Sequence, residues 1–179
     1  MFNEEKSEEN KCFRSIGNIA YWTLSSQKLG HGLEHLMDNS YDTFWQSDGP
    51  QPHYINLLFQ KRMIIKRVAI YLDFKQDESY TPSKIAINAG TNIHELEEVK
   101  CEDLDEPTGW INFDLDCEET GKPLKTFFLQ VAIKSNHHDG KDTHVRQIKV
   151  YSTPRTGVFY DNDMILTSSN ELEKMALIR

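Results

Sequence analysis

Apolar residues recur at every second position through the middle of this chain. Ile111, Phe113 and Leu115 alternate with Asn112 and Asp114, and Phe127, Leu129, Val131 and Ile133 alternate across a later run. Side chains two apart share one face of a strand, so each run predicts a half-buried strand. Ile85, Ile87 and Ala89 repeat the pattern before Gly90, and Ile148 and Val150 repeat it before Thr153-Pro154. With the apolar runs Ile19 to Leu24, Tyr54 to Phe59 and Val68 to Leu72, about seven or eight strands are expected. No helical pattern long enough for a crossover separates them, which disfavours parallel βαβ units. The expected fold is all-β, an antiparallel sandwich.

Helical signals are short. Leu33, Leu36 and Met37 fit one turn, and Asn92 to Leu96 reads as a loop or turn. After Tyr151 the alternation breaks at Ser152 to Gly157. Further on, Leu172, Met175 and Ala176 take helical spacing behind Ser168-Ser169-Asn170, a stretch too short to hold a helix alone in water and expected to order on a partner. The organisation expected is an acidic, disordered N-terminus over residues 1–12, a sandwich over 13–153 and a C-terminal extension over 154–179.

Between the first strands lies Phe44-Trp45-Gln46-Ser47-Asp48-Gly49-Pro50-Gln51-Pro52-His53. An Asp-Gly turn and two prolines stiffen an irregular backbone ahead of the Tyr54 strand, with Trp45 as a core anchor. That stretch reads mainly as architecture rather than as a site.

Composition narrows the class. At 179 residues, with 38% hydrophobic and 11% aromatic content, the chain suits one domain with one core. No window approaches the apolar length of a membrane helix, and the start, Met1 to Asn10, lacks the basic-then-apolar order of a secretory signal. Cys12, Cys101 and Cys117 are odd in number and have no metal-type spacing, which suits free thiols in a reducing compartment. The expected location is the nucleus and cytoplasm. A formal charge of -8 argues against nucleic acid as a partner, because phosphate binding depends on released counterions and hence on Lys and Arg. Lys61-Arg62 and Lys66-Arg67 flank the apolar Met63-Ile64-Ile65 and read as a solvated strand edge.

Catalytic patterns are weak. Asp48, Asp77 and Glu78 offer carboxylates without a defined separation, and Ser25, Ser26, Ser47 and Ser79 lack a Gly-x-Ser-x-Gly elbow. There is no phosphate-cradling glycine loop and no cofactor is expected. The richest polar segment is Asn136-His137-His138-Asp139-Gly140-Lys141-Asp142-Thr143-His144. His137, Asp139, Asp142 and His144 have the chemistry of metal ligands but not the spacing of a metal motif. The alternatives are a solvated turn with His144 packed at a strand start, or a polar lip for a peptide or sugar. Asp77-Glu78-Ser79-Tyr80-Thr81-Pro82-Ser83 forms a second inter-strand loop, in which Pro82 drives Thr81 toward an extended conformation and Tyr80 is of an interface type. If the two loops emerge at one end, they make one surface.

Tyr21-Trp22-Thr23-Leu24-Ser25-Ser26, Trp45-Gln46-Ser47-Asp48-Gly49, Gln51-Pro52-His53, Asp77 to Ile85, Gly109-Trp110, and Asp142-Thr143-His144 with Arg146-Gln147-Ile148 occur in this order. Together, over roughly residues 16 to 153, they closely resemble the Doc domain of the anaphase-promoting complex, or cyclosome. The resemblance implies a jelly-roll β-sandwich of the galactose-binding-domain-like kind, with short helical turns and a C-terminal tail. It implies a subunit of a cullin-RING-type ubiquitin ligase with no catalysis of its own. With a WD40 coactivator, such a subunit forms a co-receptor for destruction-box degrons and promotes processive ubiquitination in anaphase and mitotic exit. Its other implied partners are the scaffold and cullin subunits of the complex.

On this resemblance the degron site carries over to Asp77, Glu78, Ser79 and Tyr80, and to His137, His138, Asp139, Gly140 and Asp142. Ser79 and the Asp139-Gly140 turn would hydrogen-bond the polar end of an extended peptide, while His137, His138 and Asp142 shape the lip and Tyr80 packs beside it. The common animal form resembles Asn-His-Gln-Asn-Gly-Arg-Asp-Thr-His, from which His138, Asp139 and Lys141 depart; a carboxylate at Asp139 accepts but cannot donate as an amide does. Leu177, Ile178 and Arg179 resemble the Ile-Arg tail that docks on a tetratricopeptide-repeat subunit, with Ile in an apolar pocket and the guanidinium and terminal carboxylate each paired. A carbohydrate-binding, lectin-like sandwich is the alternative, since Tyr80 or His137 has the flat face to stack on a sugar ring.

Overall fold

The alternating positions become strands whose apolar faces meet. The computed structural model describes residues 13–115, 123–153, 158–159 and 165–166. Residues Ser15–Ser152 form one compact unit. Its strands are β1 (Ala20–Leu24), β2 (Trp45–Gln46), β3 (His53–Ile65), β4 (Arg67–Asp73), β5 (Pro82–Gly90), β6 (Leu96–Asp103), β7 (Thr108–Asp114), β8 (Leu124–Asn136), β9 (His144–Val145) and β10 (Gln147–Ser152). Five of them make an antiparallel sheet in the order β1-β3-β8-β5-β6. In the second sheet β4 lies between β10 and β7, again antiparallel. β2 and β9 form a two-stranded link, with His144 opposite Gln46 and Val145 opposite Trp45.

The core lies between the sheets. Ile55, Leu57, Leu129, Val131, Ile85 and Ile87 project from one, and Val68, Ile70, Leu72, Phe113, Ile148 and Val150 from the other, all fully or nearly fully buried. Burying each such side chain contributes about 1.5–3 kcal/mol before conformational entropy is set against it. Trp45 closes the core beneath the β2–β9 link at 0% exposure, its indole Nε1 donating to the Ser26 carbonyl at 3.0 Å.

The alternating runs therefore sit where their period put them, and Leu33–Leu36 makes the expected single turn. Two elements differ from the expectation. β6 has no apolar alternation, because it is an edge strand that is largely exposed and carries Glu97, Glu98, Lys100 and Glu102, the charge pattern that blunts an edge. β3 extends past Phe59 to Ile65, beyond the last β1 partner, with a register irregularity against β8 between Leu58 and Met63. Lys61 and Arg62 are exposed on this stretch, which lacks a β1 neighbour.

Among the described residues no helix is long and apolar enough to cross a membrane, and Cys101 carries a free thiol. Val158–Phe159 and Ile165–Leu166 pair as a short antiparallel ladder belonging to a second unit. The acidic N-terminus, Cys12, Cys117, the helical spacing near Leu172 and the tail Leu177-Ile178-Arg179 lie outside the described residues.

Candidate ligand-binding site

The register of β5 against β8 places Pro82 opposite Asn136, so the loop before β5 and the loop after β8 leave the sandwich at the same end. The first begins with Asp73, whose carboxylate accepts from the Lys75 amide at 3.1 Å and caps the single helical turn Phe74–Asp77. Glu78 then takes φ 44 and ψ −112, a region that side-chain-bearing residues avoid at a cost of about 1–3 kcal/mol. A 3-10 turn over Glu78–Tyr80 follows, and Thr81 is extended before Pro82 as proline requires. The second loop is a short turn over His137–Asp139 in which His138 (φ 50) and Asp139 (φ 54) are both left-handed.

The loops are tied through the backbone carbonyls of the first. The His137 amide donates to the Thr81 carbonyl at 2.9 Å, and the Thr143 hydroxyl to the Tyr80 carbonyl at 3.2 Å. Gly140 lies so close to Ser79 that a Cβ on it would stand 1.8 Å from the Ser79 carbonyl oxygen. Asn136 closes its own loop, its Nδ2 donating to the carbonyls of Gly140 at 3.2 Å and Asp142 at 2.7 Å. Gly140→Ala should therefore prise the loops apart and lower stability by about 1–3 kcal/mol, as overpacking does. Denaturant unfolding with amide exchange at His137, whose N–H bonds the Thr81 carbonyl, measures this; wild-type stability and protection would refute the close approach.

The stretch Phe44 to His53 props the second loop from behind. Gln51 Nε2 donates to the Gly140 carbonyl at 2.8 Å and His53 Nε2 to the Lys141 carbonyl at 2.6 Å. The Ser47 hydroxyl accepts from the Thr143 amide at 2.9 Å, and the Ser47 amide returns a bond to the Thr143 carbonyl at 3.1 Å. Its sequence looked like bracing, and what it braces is the polar loop.

Glu78, Tyr80, His138 and Asp139 are exposed, and Ser79, His137, Gly140 and Asp142 are half-buried, so eight of the nine expected site residues share one rim. Asp77 does not. It is 5% exposed and lies under the rim, where its carboxylate faces His144 and Arg146. Burial alone would raise this carboxyl, but hydrogen bonds from His144 and Arg146, together with their charge, outweigh it and hold it below the ordinary carboxylate value. Opposing effects act on Arg146, which burial would lower and Asp77 raises above its ordinary value.

His144 is likewise turned inward, and His137 packs edge-on against Phe74 with ring centroids 4.9 Å apart. Among the described residues no group of three or more His, Cys, Asp or Glu side chains is placed to hold a metal ion. Phe44, whose ring stacks on His144 at 4.0 Å, and Asn136 and Gln51 stood within longer segments of the sequence without roles of their own. Arg146 stood inside a recognised motif without a role; its signal, an arginine flanked by the buried Val145 and Gln147, becomes readable only when its burial is known.

A family model described as anaphase-promoting complex, subunit 10 (APC10), matches residues 2–176. Anaphase-promoting complex subunit 10 of Bos taurus is 48% identical over 145 residues, covering 81% of this chain and 78% of that protein. The Dictyostelium discoideum protein of the same name is 51% identical over 147 residues, covering 82% and 76%. Its Drosophila melanogaster counterpart is 46% identical over 175 residues, covering 97% and 89%. Among solved structures, a family 32 carbohydrate-binding module from C. perfringens NanJ in complex with galactose superposes with a TM-score of 0.64 at 13% identity, covering 78% of this chain and 99% of that one. The family 32 module of AlyQ in complex with 4,5-unsaturated mannuronic acid gives 0.59 at 14% identity, covering 76% and 97%. At such identities the likeness carries the fold alone, a jelly-roll β-sandwich of the galactose-binding kind.

Proposed function

This chain belongs to the anaphase-promoting complex subunit 10 family and is a non-catalytic subunit of that ubiquitin ligase; from that premise we propose that its two-loop rim, with a WD40 coactivator, is a co-receptor for destruction-box degrons. The observation that carries the reading is the joining of the Glu78–Tyr80 turn to the His137–Asp142 loop, with Gly140 against the Ser79 carbonyl. An extended peptide needs a short row of polar partners beside an apolar face. Ser79 and the Asp139-Gly140 turn supply the polar partners, His137, His138 and Asp142 the lip, and the exposed ring of Tyr80 the face. Asp77 supports the rim from below rather than touching the peptide. Because Asp139 only accepts, it suits the N–H groups of a degron backbone or a basic side chain.

Holding the substrate through more than one ubiquitin transfer would raise processivity. The location that suits this role is the nucleus and cytoplasm. Ile178-Arg179 would dock the subunit on a tetratricopeptide-repeat partner, and the scaffold and cullin subunits would be its other neighbours.

In reconstituted complex with coactivator, Ser79→Ala, His137→Ala and Asp139→Ala together should leave assembly intact. They should weaken use of a destruction-box substrate on the order of tenfold, since each lost net hydrogen bond is worth about 0.5–1.5 kcal/mol. Chains would shorten accordingly; an unchanged product distribution would remove the degron assignment. Removing Ile178 and Arg179 should weaken association with the repeat subunit without moving the melting temperature of the sandwich, and undiminished co-purification would count against the tail.

A further inference from the structure

Asp77 immediately precedes the left-handed Glu78, and its own geometry is unusually constrained. Oδ1 accepts from His144 Nδ1 at 3.0 Å and from Arg146 Nη2 at 2.8 Å, and Oδ2 accepts from Arg146 Nε at 2.9 Å. The arginine fork thus fixes the plane of the carboxylate and the histidine fixes one end of it. All three side chains are buried, at 5% exposure for Asp77, 9% for His144 and 3% for Arg146. An avoided backbone conformation such as that of Glu78 persists only where its surroundings over-determine it, and the anchored carboxylate one residue earlier does so here.

The second constraint runs through aromatic rings. His144 lies between Tyr80, with centroids 4.2 Å apart and planes 13° from parallel, and Phe44, at 4.0 Å and 22°. Phe44 in turn stacks on His31 at 4.6 Å and 9°, and the Arg146 guanidinium carbon stands 5.5 Å from the Phe44 ring centre. Only the Tyr80 end of this ladder is substantially open to a ligand among these contacts, with Tyr80 40% exposed. The same histidine therefore fixes the start of the turn through Asp77 and its end through Tyr80, and Phe44 touches both the histidine and the arginine.

We propose that Asp77, His144 and Arg146 are positioning residues for degron recognition, holding the Glu78–Tyr80 turn and the Tyr80 ring in the conformation that a peptide meets. The inference rests on the co-receptor reading. Its physical content is preorganisation: a turn already held in place loses less freedom on binding, so affinity rises without any added contact to the ligand. A trio that served stability alone would leave affinity untouched once stability was restored. The two roles separate because removing both charges of a buried pair is often tolerated, whereas the bidentate geometry goes with them.

The test uses reconstituted complex with coactivator and a labelled destruction-box substrate, reading the KM for substrate and the number of ubiquitins added per encounter. Asp77→Asn with Arg146→Gln removes both charges and the bidentate fork together, leaving a neutral amide at each position. It should assemble, raise KM on the order of tenfold, and add no further loss when combined with the Ser79, His137 and Asp139 alanines, because residues that act through one surface are not additive with it. If the alanines impair recognition and the paired variant does not, or if their losses add, positioning is overturned while the co-receptor reading stands. If neither set impairs recognition, both fall. Should the paired variant fail to fold, Phe44→Leu carries the same test, since it leaves the carboxylate–guanidinium contacts in place and strips one face of the His144 stack. A raised KM, non-additive with the alanines, supports the proposal, and an unchanged KM overturns it.

Discussion

Arg146→Ala should cost about 3–5 kcal/mol of folding stability, because it removes one partner of a buried ion pair and strands the other. The side chains of Arg146 and Asp77 are 3% and 4% exposed, so removing the guanidinium leaves the Asp77 carboxylate buried with His144 as its remaining partner among the described residues. The Tyr41 carbonyl also loses the Arg146 Nη1 donor. Denaturant unfolding of the isolated chain measures the loss, and a value within the 0–1 kcal/mol of a surface pair would show that solvent reaches the site.

The pH dependence follows from the same pair. Asp77 titrates below its unfolded value in the folded protein, so its contribution is fully present above about pH 4 and is lost as acid takes the pH down through the folded value. Asp77→Asn should therefore flatten the acid limb of the stability curve, and curves that stay parallel into acid would contradict the assignment. In Arg146→Ala the sign reverses, since a buried carboxylate without its guanidinium titrates upward and the deficit shrinks as acid neutralises it.

Trp45→Ala should be comparably severe, at about 3–5 kcal/mol, through the cavity it leaves. Trp45 is fully buried, and its indole holds the Ser26 carbonyl across the β1–β2 connection. Its neighbour Gln46 pairs with His144, so the cavity opens directly beneath the rim. Trp45→Phe separates the two contributions, because most of the volume remains while one hydrogen bond worth about 0.5–1.5 kcal/mol is lost. A phenylalanine variant as unstable as the alanine one would shift the account from packing to the hydrogen bond.

Much of the sandwich is legible in the chain because a face packed on the core takes an apolar residue at every second position, as in β5, β7, β8 and β10, while β4 is legible as a short continuous apolar run. β6 is not legible, since an edge strand without a single buried residue has no buried face to record. The rim was legible as two polar loops, each bounded by strands and carrying residue types suited to peptides. Asp77 misled, because its type and its place beside Glu78 and Ser79 suggest a surface ligand. Its partners His144 and Arg146 lie 67 and 69 residues away, and no local spacing reports them.

By itself, the amino-acid sequence determined the all-β class, the family and the two loops that carry the candidate surface. These follow from period, turn chemistry and ordered motifs, which are local properties of the chain. Only the tertiary structure decided that Gly140 meets Ser79, that Phe44 to His53 props the second loop, and that Asp77 sits beneath the rim. These depend on which strand ends come together, and on burial, which turns an ordinary carboxylate into the anchor of a buried ion pair.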